Sequence, residues 1–326
     1  MTGSEPGRAI DLLVVGDCNP DVLVLGDDVT PEFGQQEKLV TSISLVVGGS
    51  AAITAVAAAR LGLRVALAAT IGADPAGDFM LGQLAAAGVD TAAVITRPGQ
   101  GTGMTVALSH GADRAIITAV GAMTSLTAGD VPRGLLRRTR HLHISSYFLL
   151  EQSLGPGLAE LLAEAQAGGT TTSLDTNWDP TGCWGGDQLR AALAHTDFLL
   201  PNETEAQRIS GAATLRAAVP ALTALGPRVV VKLGARGALC ADGNDCHRIV
   251  PKVPDHAVVD ATGAGDCFNA GLIAGLLRGL DLPLAARLGC AAGSASTAAA
   301  GGTAAAPTLA AALELADSAV VRPGWR

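Results

Sequence analysis

A short turn of small residues stands immediately before an acid at the start of an apolar segment. The turn contains Gly263, Ala264 and Gly265, and Asp266 follows it directly. The apolar residues beyond it recur at helical spacing, so the backbone N–H groups of the turn are the donors that a helix leaves without partners in its first turn. Those donors and the helix dipole favour a bound anion, and glycine lets a phosphate approach the backbone closely. Asp266 could accept a proton from the group that attacks such a phosphate, which indicates phosphoryl transfer to a hydroxyl.

A purely structural interpretation of this turn is also open, because an acid after a Gly-rich turn is common at ordinary helix N-termini. Asn202 and Glu205 present the same choice. They follow a predicted strand at residues 198–201, where Asn202 could cap a helix and Glu205 could reach back to it. A capping pair is compatible with a functional site, since ligands bind where the carboxyl ends of parallel strands converge.

The segment from Lys232 to Gly237 is predicted to form a strand, a tight turn and the next strand. Gly234 and Gly237 would let the backbone of the turn contact a nucleotide. Lys232 would neutralise the phosphates of that nucleotide. An isolated hairpin of this kind gives only weak support for a nucleotide site.

Polar residues also gather near a second predicted helix N-terminus. Gly48 and Gly49 precede an Ala-rich helical stretch, and their bare backbone could meet a sugar or a similar polar ligand. Asp17, Asn19 and Asp21 follow the first predicted strand and could bind hydroxyl groups in pairs. Together these residues indicate a site for a polar small molecule.

Composition argues against several other classes of function. The chain has 326 residues, of which 48% are hydrophobic, and a formal net charge of −8. Nucleic-acid binding requires clustered Lys and Arg, so we expect no nucleic-acid partner. The longest charge-free stretch, residues 39–59, contains glycines and hydroxyl residues, so we expect no membrane span. The polar N-terminus carries no apolar signal core, which predicts a cytoplasmic protein.

The motifs that the sequence lacks argue against several kinds of nucleotide and metal site. The sequence has no P-loop, and no Gly-x-Gly-x-x-Gly follows the first predicted strand. Its six cysteines form no Cys-x-x-Cys, so we expect neither a zinc site nor a disulfide framework. His141 and His143 alternate along one predicted strand without further acids, which favours a structural role over metal binding.

Short apolar runs alternate with Ala- and Leu-rich helical stretches, which predicts an α/β fold with a mostly parallel central sheet and helices on both faces. Two segments, 22–47 and 92–119, break this alternation with β-branched runs joined by Gly-rich turns. We expect them to form a small β-sheet that acts as a lid over the mouth of the main sheet. Since the sequence shows no long linker and no repeat, residues 1–326 are predicted to form a single domain.

Taken in order, these motifs resemble those of the ribokinase-like (PfkB) carbohydrate kinases over nearly the full chain. Residues 260–266 are similar to the second signature of that family, and residues 48–62 are similar to its first signature. Residues 72–77, 202–205 and 232–237 follow the order of the family's other motifs. Five ordered matches are highly specific, so the chain is identified as a member with a ribokinase-like fold.

The resemblance implies an ATP-dependent kinase in which Asp266 is the base and the amides of the preceding turn form an anion hole. The residues that it assigns are, for catalysis, Asp266, Gly263, Ala264 and Gly265; for the substrate, Asn19, Asp21, Gly48, Gly49 and Ile53; for the nucleotide, Asn202, Glu205, Lys232, Gly234, Gly237 and Cys290; and for metal ions, Glu205, Asp260 and Thr262. The implied cofactors are ATP and Mg²⁺, whose waters Asn202 and Glu205 would organise, with K⁺ as a further cation beside Asp260 and Thr262. The resemblance also allows a homodimer formed through the lid.

Three positions depart from the family's usual pattern. Ile53 stands where an Asn usually binds a substrate hydroxyl, so the substrate is expected to lack that hydroxyl or to present an apolar edge there. Ser50 stands where sugar-phosphate kinases often have Lys, which makes a phosphorylated substrate less favourable. Asp179 stands where fructokinase and ketodeoxygluconate kinase relatives have Arg, so a sugar acid loses its expected counter-charge.

We therefore expect a kinase that phosphorylates a primary hydroxyl of an unphosphorylated sugar or sugar-like compound. A nucleoside kinase is the first alternative, because Gly-Gly-Ser also resembles that branch and Ile53 could pack against a base. Aromatic residues such as Trp178, the candidates for base stacking, make up only 3% of the chain. A catalytically silent sugar or nucleoside sensor is the second alternative, motivated by Ile53 and Asp179.

Overall fold

Two β-sheets and the helices between their strands make up the described part of the chain. The computed structural model describes residues 9–110, 113–243, 245–252 and 256–324. Its strands are β1 (Ile10–Val15), β2 (Asn19–Leu25), β3 (Ser42–Gly48), β4 (Val65–Gly72), β5 (Asp90–Arg97), β6 (Met104–His110), β7 (Asp113–Ala119), β8 (Thr139–Ile144), β9 (Thr171–Leu174), β10 (Phe198–Leu199), β11 (Arg228–Lys232), β12 (Ala238–Asp242), β13 (Asp245–Val250) and β14 (Val320–Pro323). Its helices are α1 (Ser50–Arg60), α2 (Pro75–Ala86), α3 (Arg133–Leu136), α4 (Tyr147–Leu154), α5 (Leu158–Ala167), α6 (Asp187–Leu193), α7 (Glu203–Ser210), α8 (Leu215–Thr223), α9 (Ala264–Leu277), α10 (Leu282–Ser296) and α11 (Leu309–Asp317).

The large sheet has the strand order β14-β13-β12-β11-β10-β9-β8-β1-β4-β5. The neighbouring strands from β11 to β5 run parallel, whereas β12, β13 and β14 add an antiparallel edge. Along β1, Leu13 and Val15 enter one buried apolar cluster and Leu12 and Val14 enter another. Because successive side chains of a strand point to opposite faces, both faces of this sheet are covered. The predicted mostly parallel sheet is confirmed.

The small sheet has the order β3-β2-β6-β7. Strands β2 and β3 pair antiparallel, as do β6 and β7, and β2 and β6 join the two hairpins in parallel. The predicted small sheet is thus present, but its boundaries differ from the prediction. Strand β2 already begins at Asn19, and residues 92–97 belong to β5 of the large sheet, where Val94 pairs with Ala69. The β-branched residues of β5 suit an edge strand that pairs parallel to β4. The local sequence does not reveal which strand β5 pairs with.

Helices α9 and α10 pack very closely because small residues line their contact. A Cβ atom on Gly271 of α9 would lie 2.7 Å from the carbonyl oxygen of Leu288, and one on Gly293 of α10 would lie 2.7 Å from that of Ala264. Glycine is therefore required at both positions if the helices are to keep this distance. The close packing fixes the N-terminus of α9 against the body of the molecule.

The carboxyl ends of β1, β8, β9 and β11 lie at the same edge of the large sheet, because these strands run in the same direction. Ligand sites of open α/β sheets lie at this edge. Within residues 9–110, 113–243, 245–252 and 256–324, the longest apolar helices are too short or too polar to cross a bilayer.

Candidate active site

The turn before α9 has the geometry of an anion site. Gly263 adopts φ 72°, a left-handed conformation in which a side chain would be strained, and a Cβ atom there would lie 2.6 Å from the Cα atom of Gly302. Cys267 donates its N–H to the carbonyl oxygen of Gly263 at 2.8 Å, which closes the first helical turn. The Ala264 N–H is engaged with the carbonyl oxygen of Ala261 at 3.2 Å. The N–H of Gly265 precedes the intrahelical hydrogen bonds and is the donor best placed for a phosphate.

The Asp260 carboxylate fixes the shape of this turn through hydrogen bonds. One of its carboxylate oxygens accepts from the N–H and the hydroxyl of Thr262, at 2.9 and 2.7 Å. Its other oxygen accepts from the N–H of Gly301 at 2.9 Å. Asp260 therefore connects the turn to the segment after α10. The assignment of Asp260 and Thr262 to a monovalent cation stays a prediction.

Asp266, the predicted base, is buried in the first turn of α9. Burial raises the pKa of its carboxyl well above the usual value, and the nearby carboxylates of Asp175 and Asp17 raise it further. The ammonium group of Lys232 and a hydrogen bond from the Ser50 side chain act in the opposite direction and lower this pKa. The carboxyl thus lies in the kind of environment in which an acid can be tuned toward proton transfer near neutral pH.

A buried ion pair lies directly behind the turn. Lys232 Nζ is 2.5 Å from Asp175 Oδ2, and Asn269 Nδ2 donates to the same oxygen at 2.5 Å. Burial lowers the pKa of Lys232, but the carboxylates of Asp175 and Glu205 outweigh it and the net shift is upward. A Cβ atom on Gly265 would lie 3.7 Å from Lys232 Nζ, so the ammonium group is adjacent to the anion turn.

Asp175 and Asn269 were not among the sequence-predicted site residues. Asp175 follows β9 directly, and an acid at the carboxyl end of a buried parallel strand is the signal that could have identified it. Asn269 lies on α9 one turn after Asp266, and its position gives no comparable sequence signal.

Asn202 and Glu205 form a reciprocal capping box at the start of α7, as the structural interpretation predicted. Glu205 Oε2 accepts from the Asn202 N–H at 2.8 Å, and Asn202 Oδ1 accepts from the Glu205 N–H at 2.9 Å. A third hydrogen bond of 2.6 Å joins Asn202 Nδ2 to Glu205 Oε1. Burial and the charge of Asp175 raise the pKa of Glu205 to about 7. The pair lies next to the ion pair, because Asn202 and Lys232 are bridged as in a parallel sheet.

The residues predicted to bind the substrate come together where β2 meets β3. Asn19 pairs with Gly48 in the sheet, and Asn19 Nδ2 donates to Asp21 Oδ1 at 3.0 Å. A Cβ atom on Gly48 would lie 1.9 Å from Asp21 Oδ1, and one on Gly49 would lie 2.9 Å from Asn19 Oδ1. Both glycines are therefore needed for the polar side chains of β2 to lie over the turn that leads to α1.

Asp17 has a different contact from the hydroxyl binding that the sequence suggested. Its two carboxylate oxygens accept from the N–H groups of Ser50 and Ala51, at 3.0 and 2.9 Å. Asp17 therefore caps α1. Ile53, one turn along α1, is only 3% exposed and packs against Gly263 and Gly302. Its proposed contact with a substrate stays a prediction.

Asp179 is a loop residue with its carboxylate occupied. It accepts from the N–H and the hydroxyl of Thr181 at 2.8 and 2.7 Å, and from the N–H of Trp184 at 2.5 Å. Burial raises the pKa of Asp179, but these hydrogen bonds outweigh it and the net shift is downward. Asp179 thus shapes the loop before α6, a role that its sequence position did not indicate.

A cavity of about 460 Å³ lies against the other side of the α9 turn. Its lining residues are Lys232, Gly234, Ala235, Gly237, Pro251, Lys252, His256, Val258, Ala261, Ala264, Gly265, Phe268, Cys290, Gly293, Ser294 and Thr297. The structure thus brings together Lys232, Gly234, Gly237 and Cys290, the residues predicted for the nucleotide. Asn202 and Glu205 are not part of this lining.

Comparison with known proteins agrees with this arrangement. The pfkB family carbohydrate kinase domain matches residues 9–309. A ribokinase from Haemophilus influenzae is 30% identical over 317 residues, covering 94% of this chain and 99% of that protein. A nucleoside kinase from Methanothermobacter thermautotrophicus is 28% identical over 285 residues, covering 87% of this chain and 88% of that protein.

The fold is similar to that of a candidate ribokinase II from E. coli in complex with ATP and Mg²⁺, with a TM-score of 0.83 and 24% identity. That similarity covers 94% of this chain and 99% of that one. The predicted family, fold and enzyme class are confirmed. The chain belongs to the pfkB family of carbohydrate kinases.

Proposed function

We propose that this kinase transfers the γ-phosphoryl group of ATP to a primary hydroxyl of an unphosphorylated sugar or sugar-like substrate. One observation carries the proposal. The first turn of α9 faces the cavity through Ala264 and Gly265, while burial raises the pKa of its Asp266 carboxyl group and the side chain of Ser50, directly after the Gly48-Gly49 turn, acts to lower it. The base and the anion turn therefore lie between a nucleotide-sized cavity and a cluster of polar residues suited to hydroxyl groups.

The reaction is a displacement at phosphorus. The acceptor hydroxyl gives its proton to the Asp266 carboxylate while its oxygen forms a bond to the γ-phosphorus atom. The bond between that phosphorus and the bridging β–γ oxygen breaks, and ADP leaves with the electron pair. The N–H of Gly265, the α9 dipole and the adjacent Lys232 ammonium group stabilise the negative charge of the transferred group.

The residues fit a Mg²⁺ ion that is held mainly by the nucleotide. In the described part of the chain, no three His, Cys, Asp or Glu side chains are grouped so as to hold a metal. Mg²⁺ commonly uses one or two carboxylates together with substrate phosphates and waters. Glu205 and Asn202 would hold those waters. When bound, Mg²⁺ neutralises charge on the phosphates. A monovalent cation beside Asp260 and Thr262 is a separate proposal, tested by replacing K⁺ with choline in the assay.

Charge supports an unphosphorylated substrate. The polar groups near the Gly48-Gly49 turn include the carboxylates of Asp17, Asp21 and Asp266, and Ser50 supplies no cation. The nearby ammonium group of Lys232 is paired with Asp175. A sugar phosphate would bring further negative charge close to these carboxylates, whereas the hydroxyls of a neutral polyol can donate to them.

ADP release across a panel of sugars, polyols and nucleosides tests the proposal, with wild type and Asp266→Asn compared. We expect turnover of at least one sugar, and a kcat in Asp266→Asn lower by about 10² to 10⁴, the range for a lost general base. More than about a tenth of wild-type kcat in Asp266→Asn would remove the base assignment. Ligand binding without turnover by any panel member would favour the silent sensor.

A nucleoside is the second candidate substrate, favoured by one aromatic group. The Trp178 side chain is 62% exposed and lies edge-on to Trp184, with ring centroids 4.9 Å apart. Its neighbour Asn177 contacts Ser50, so an exposed indole stands near the acceptor side, where it could stack on a base. Competition of adenosine and inosine against ribose and fructose separates the two candidates.

A homodimer through the small sheet is a further proposal. Ile43 and Leu45 of β3 and Ile117 of β7 are 65%, 45% and 62% exposed, and exposed apolar side chains on a sheet are suited to burial against a second copy. Light scattering of wild type and Ile43→Lys tests it. An unchanged monomeric mass in both would contradict it.

A further inference from the structure

The side-chain amide of Asn177 connects two elements of the acceptor side. Asn177 Nδ2 donates to Ser50 Oγ at 2.7 Å and to Ser146 Oγ at 2.8 Å. Ser50 is the first residue of α1, and Ser146 immediately precedes α4. Both protons of one amide group are thus used to hold two hydroxyl groups.

Each of these hydroxyl groups influences the pKa of a buried carboxyl group, in the direction opposite to burial. Since the amide nitrogen only donates, Ser50 Oγ accepts from it and keeps its own proton available for a second acceptor. The Ser50 side chain acts to lower the pKa of Asp266, which points to the Asp266 carboxylate as that acceptor. In the same way Ser146 Oγ accepts from Asn177, and the Ser146 side chain acts to lower the pKa of Asp17. Asp17 in turn holds the N-terminus of α1 through the N–H groups of Ser50 and Ala51.

Two residues of this network have a backbone conformation that is unfavourable for residues with side chains. Asn177 has φ 54° and Ser146 has φ 57°, both in the left-handed region. Such conformations cost free energy and persist where the surroundings enforce them, often at functional sites. The hydrogen bonds of the Asn177 amide connect the two residues directly and add to the backbone contacts that hold each of them.

We propose that Asn177, acting through Ser50, is a positioning residue for the catalytic base. The amide fixes the direction of the Ser50 hydroxyl, and this hydroxyl holds the Asp266 carboxylate ionised and directed toward the acceptor. The same amide, through Ser146 and Asp17, fixes the start of α1 beside the Gly48-Gly49 turn. The geometry of the base and that of the acceptor site therefore depend on one side chain. This inference rests on the proposed function.

The groups that face Asp266 determine what the loss of this hydrogen bond would do. Asp17 after β1 and Asp175 after β9 disfavour its charged form, and Lys232 at the end of β11 favours it. On α9 itself, Cys267 is a buried thiol whose pKa is raised to about 12. Without the Ser50 hydroxyl the base keeps one cation against two carboxylates. We expect its protonation to extend to higher pH.

The test compares Ser50→Ala, Ser50→Thr and Asn177→Gly with wild type, using the panel sugar that gives the fastest ADP release. Glycine at position 177 accepts the left-handed backbone, so Asn177→Gly removes the amide without adding strain. In Ser50→Ala and Asn177→Gly we expect kcat to fall about tenfold or more at pH 7, with the KM for ATP unchanged. The acidic limb of the kcat profile should move up by about one pH unit. Ser50→Thr should restore both values.

A second measurement does not require turnover. The difference in Tm between each protein and the same protein carrying Asp266→Asn reports the titration of Asp266 through linkage. Its midpoint should lie at higher pH in the Ser50→Ala background than in the wild-type background.

The matched control is Thr54→Val, one turn further along α1. Thr54 Oγ1 donates to the backbone oxygen of Asp266 at 3.5 Å. This variant should keep wild-type kcat and pH dependence. Wild-type profiles in both Ser50→Ala and Asn177→Gly, or equal losses in Thr54→Val, would overturn the inference. If Asp266→Asn is itself active, the proposed function fails; if it is inactive while those two variants behave as wild type, only the positioning role fails.

Discussion

Lys232 Nζ lies 2.5 Å from Oδ2 of Asp175, and both side chains are almost completely enclosed, with exposed fractions of 13% and 0%. Their strands are separated in the sheet by β10, so the pair joins the carboxyl ends of β9 and β11 behind the anion turn. In that place the pair has two consequences: it stabilises the fold, and it supplies a fixed positive charge next to Gly265.

Lys232→Met removes the cation and leaves the Asp175 carboxylate buried beside neutral donors, the Asn269 amide and the Asn177 N–H. We expect the free energy of unfolding to fall by about 3–5 kcal/mol, because an uncompensated charge remains in the interior. Urea unfolding at pH 7 measures this. Lys252→Met is the control, since Lys252 lies on the exposed rim of the same cavity and should change stability by about 0.5 kcal/mol or less. Equal effects in the two variants would show that the ion pair contributes little.

Gly48→Ala tests whether the Gly48-Gly49 turn and Asp21 form the acceptor site. The added Cβ would meet Asp21 Oδ1 at 1.9 Å, so the carboxylate must swing away. Since a side chain moves more readily than backbone, we expect the KM for the sugar to rise by about tenfold or more while Tm changes little. Gly82→Ala is the matched control, because a Cβ at that helical position meets nothing within 4 Å. An unchanged KM in Gly48→Ala would place the acceptor elsewhere.

The sequence predicted the elements of the fold well where the signal is local. Strand β4 is apolar except for Thr70 and is buried at all eight positions, and α9 follows from its apolar spacing. The assignment of residues 92–97 to the lid was wrong, because whether an apolar strand pairs with β4 or with β2 depends on distant partners.

Only the site contacts between residues close in sequence could be predicted, because distant partners decide the others. The capping contacts of Asn202 and Glu205 span only three residues, so local spacing predicts them. The contact of Asp175 with Lys232 spans 57 residues, and that of Asn269 with Asp175 spans 94. No spacing rule predicts those pairs. Asp179 shows the converse: a residue at a family motif position is used to close its own loop.

Glu205→Gln tests the assignment of the capping pair to Mg²⁺. The variant removes the negative charge that would hold the waters of the ion, so we expect a several-fold higher Mg²⁺ concentration at half-maximal rate. Steady-state rates at fixed ATP and varied Mg²⁺ measure it. Ser210→Ala at the far end of α7 is the control for helix stability alone. If Glu205→Gln lowers Tm but leaves the Mg²⁺ dependence unchanged, Glu205 is only a helix cap.

His141 makes the fold sensitive to acid. Its Nδ1 lies 2.7 Å from Thr171 Oγ1 and its Nε2 lies 2.7 Å from Ser173 Oγ. Burial, together with the neighbouring His143, lowers the pKa of His141 to about 3. The unfolded chain takes up this proton near pH 6.5, so the folded state binds fewer protons below that pH. Stability is therefore full above pH 6.5 and decreases as the pH falls toward 3.

His141→Gln should accordingly be less stable than wild type at pH 7.5 but should lose less stability between pH 6.5 and pH 4.5, by up to about 1.4 kcal/mol per pH unit. Urea unfolding at several pH values provides the comparison. Thr171→Val removes a partner of His141 and keeps the imidazole, so its pH dependence should remain steep. An identical slope in wild type and His141→Gln would exclude His141 as the origin of the acid sensitivity.

Ile53 stands where the family usually has Asn, and a substitution there distinguishes a residue that faces the substrate from one that packs in the core. The side chain is 3% exposed, and Cβ atoms placed on Gly263 and Gly302 would lie 3.0 and 2.7 Å from its methyl groups. Asn at this position would bury an amide against the backbone of the anion turn. We expect Ile53→Asn to cost about 3 kcal/mol or more of stability and to lower kcat on all substrates alike, because the turn is displaced. Ile53→Val, which keeps an apolar contact, should cost about 1 kcal/mol and retain activity. Unfolding and kinetics with ribose and fructose decide the matter: a gain of activity on either sugar in Ile53→Asn, at unchanged stability, would show that residue 53 faces the substrate after all.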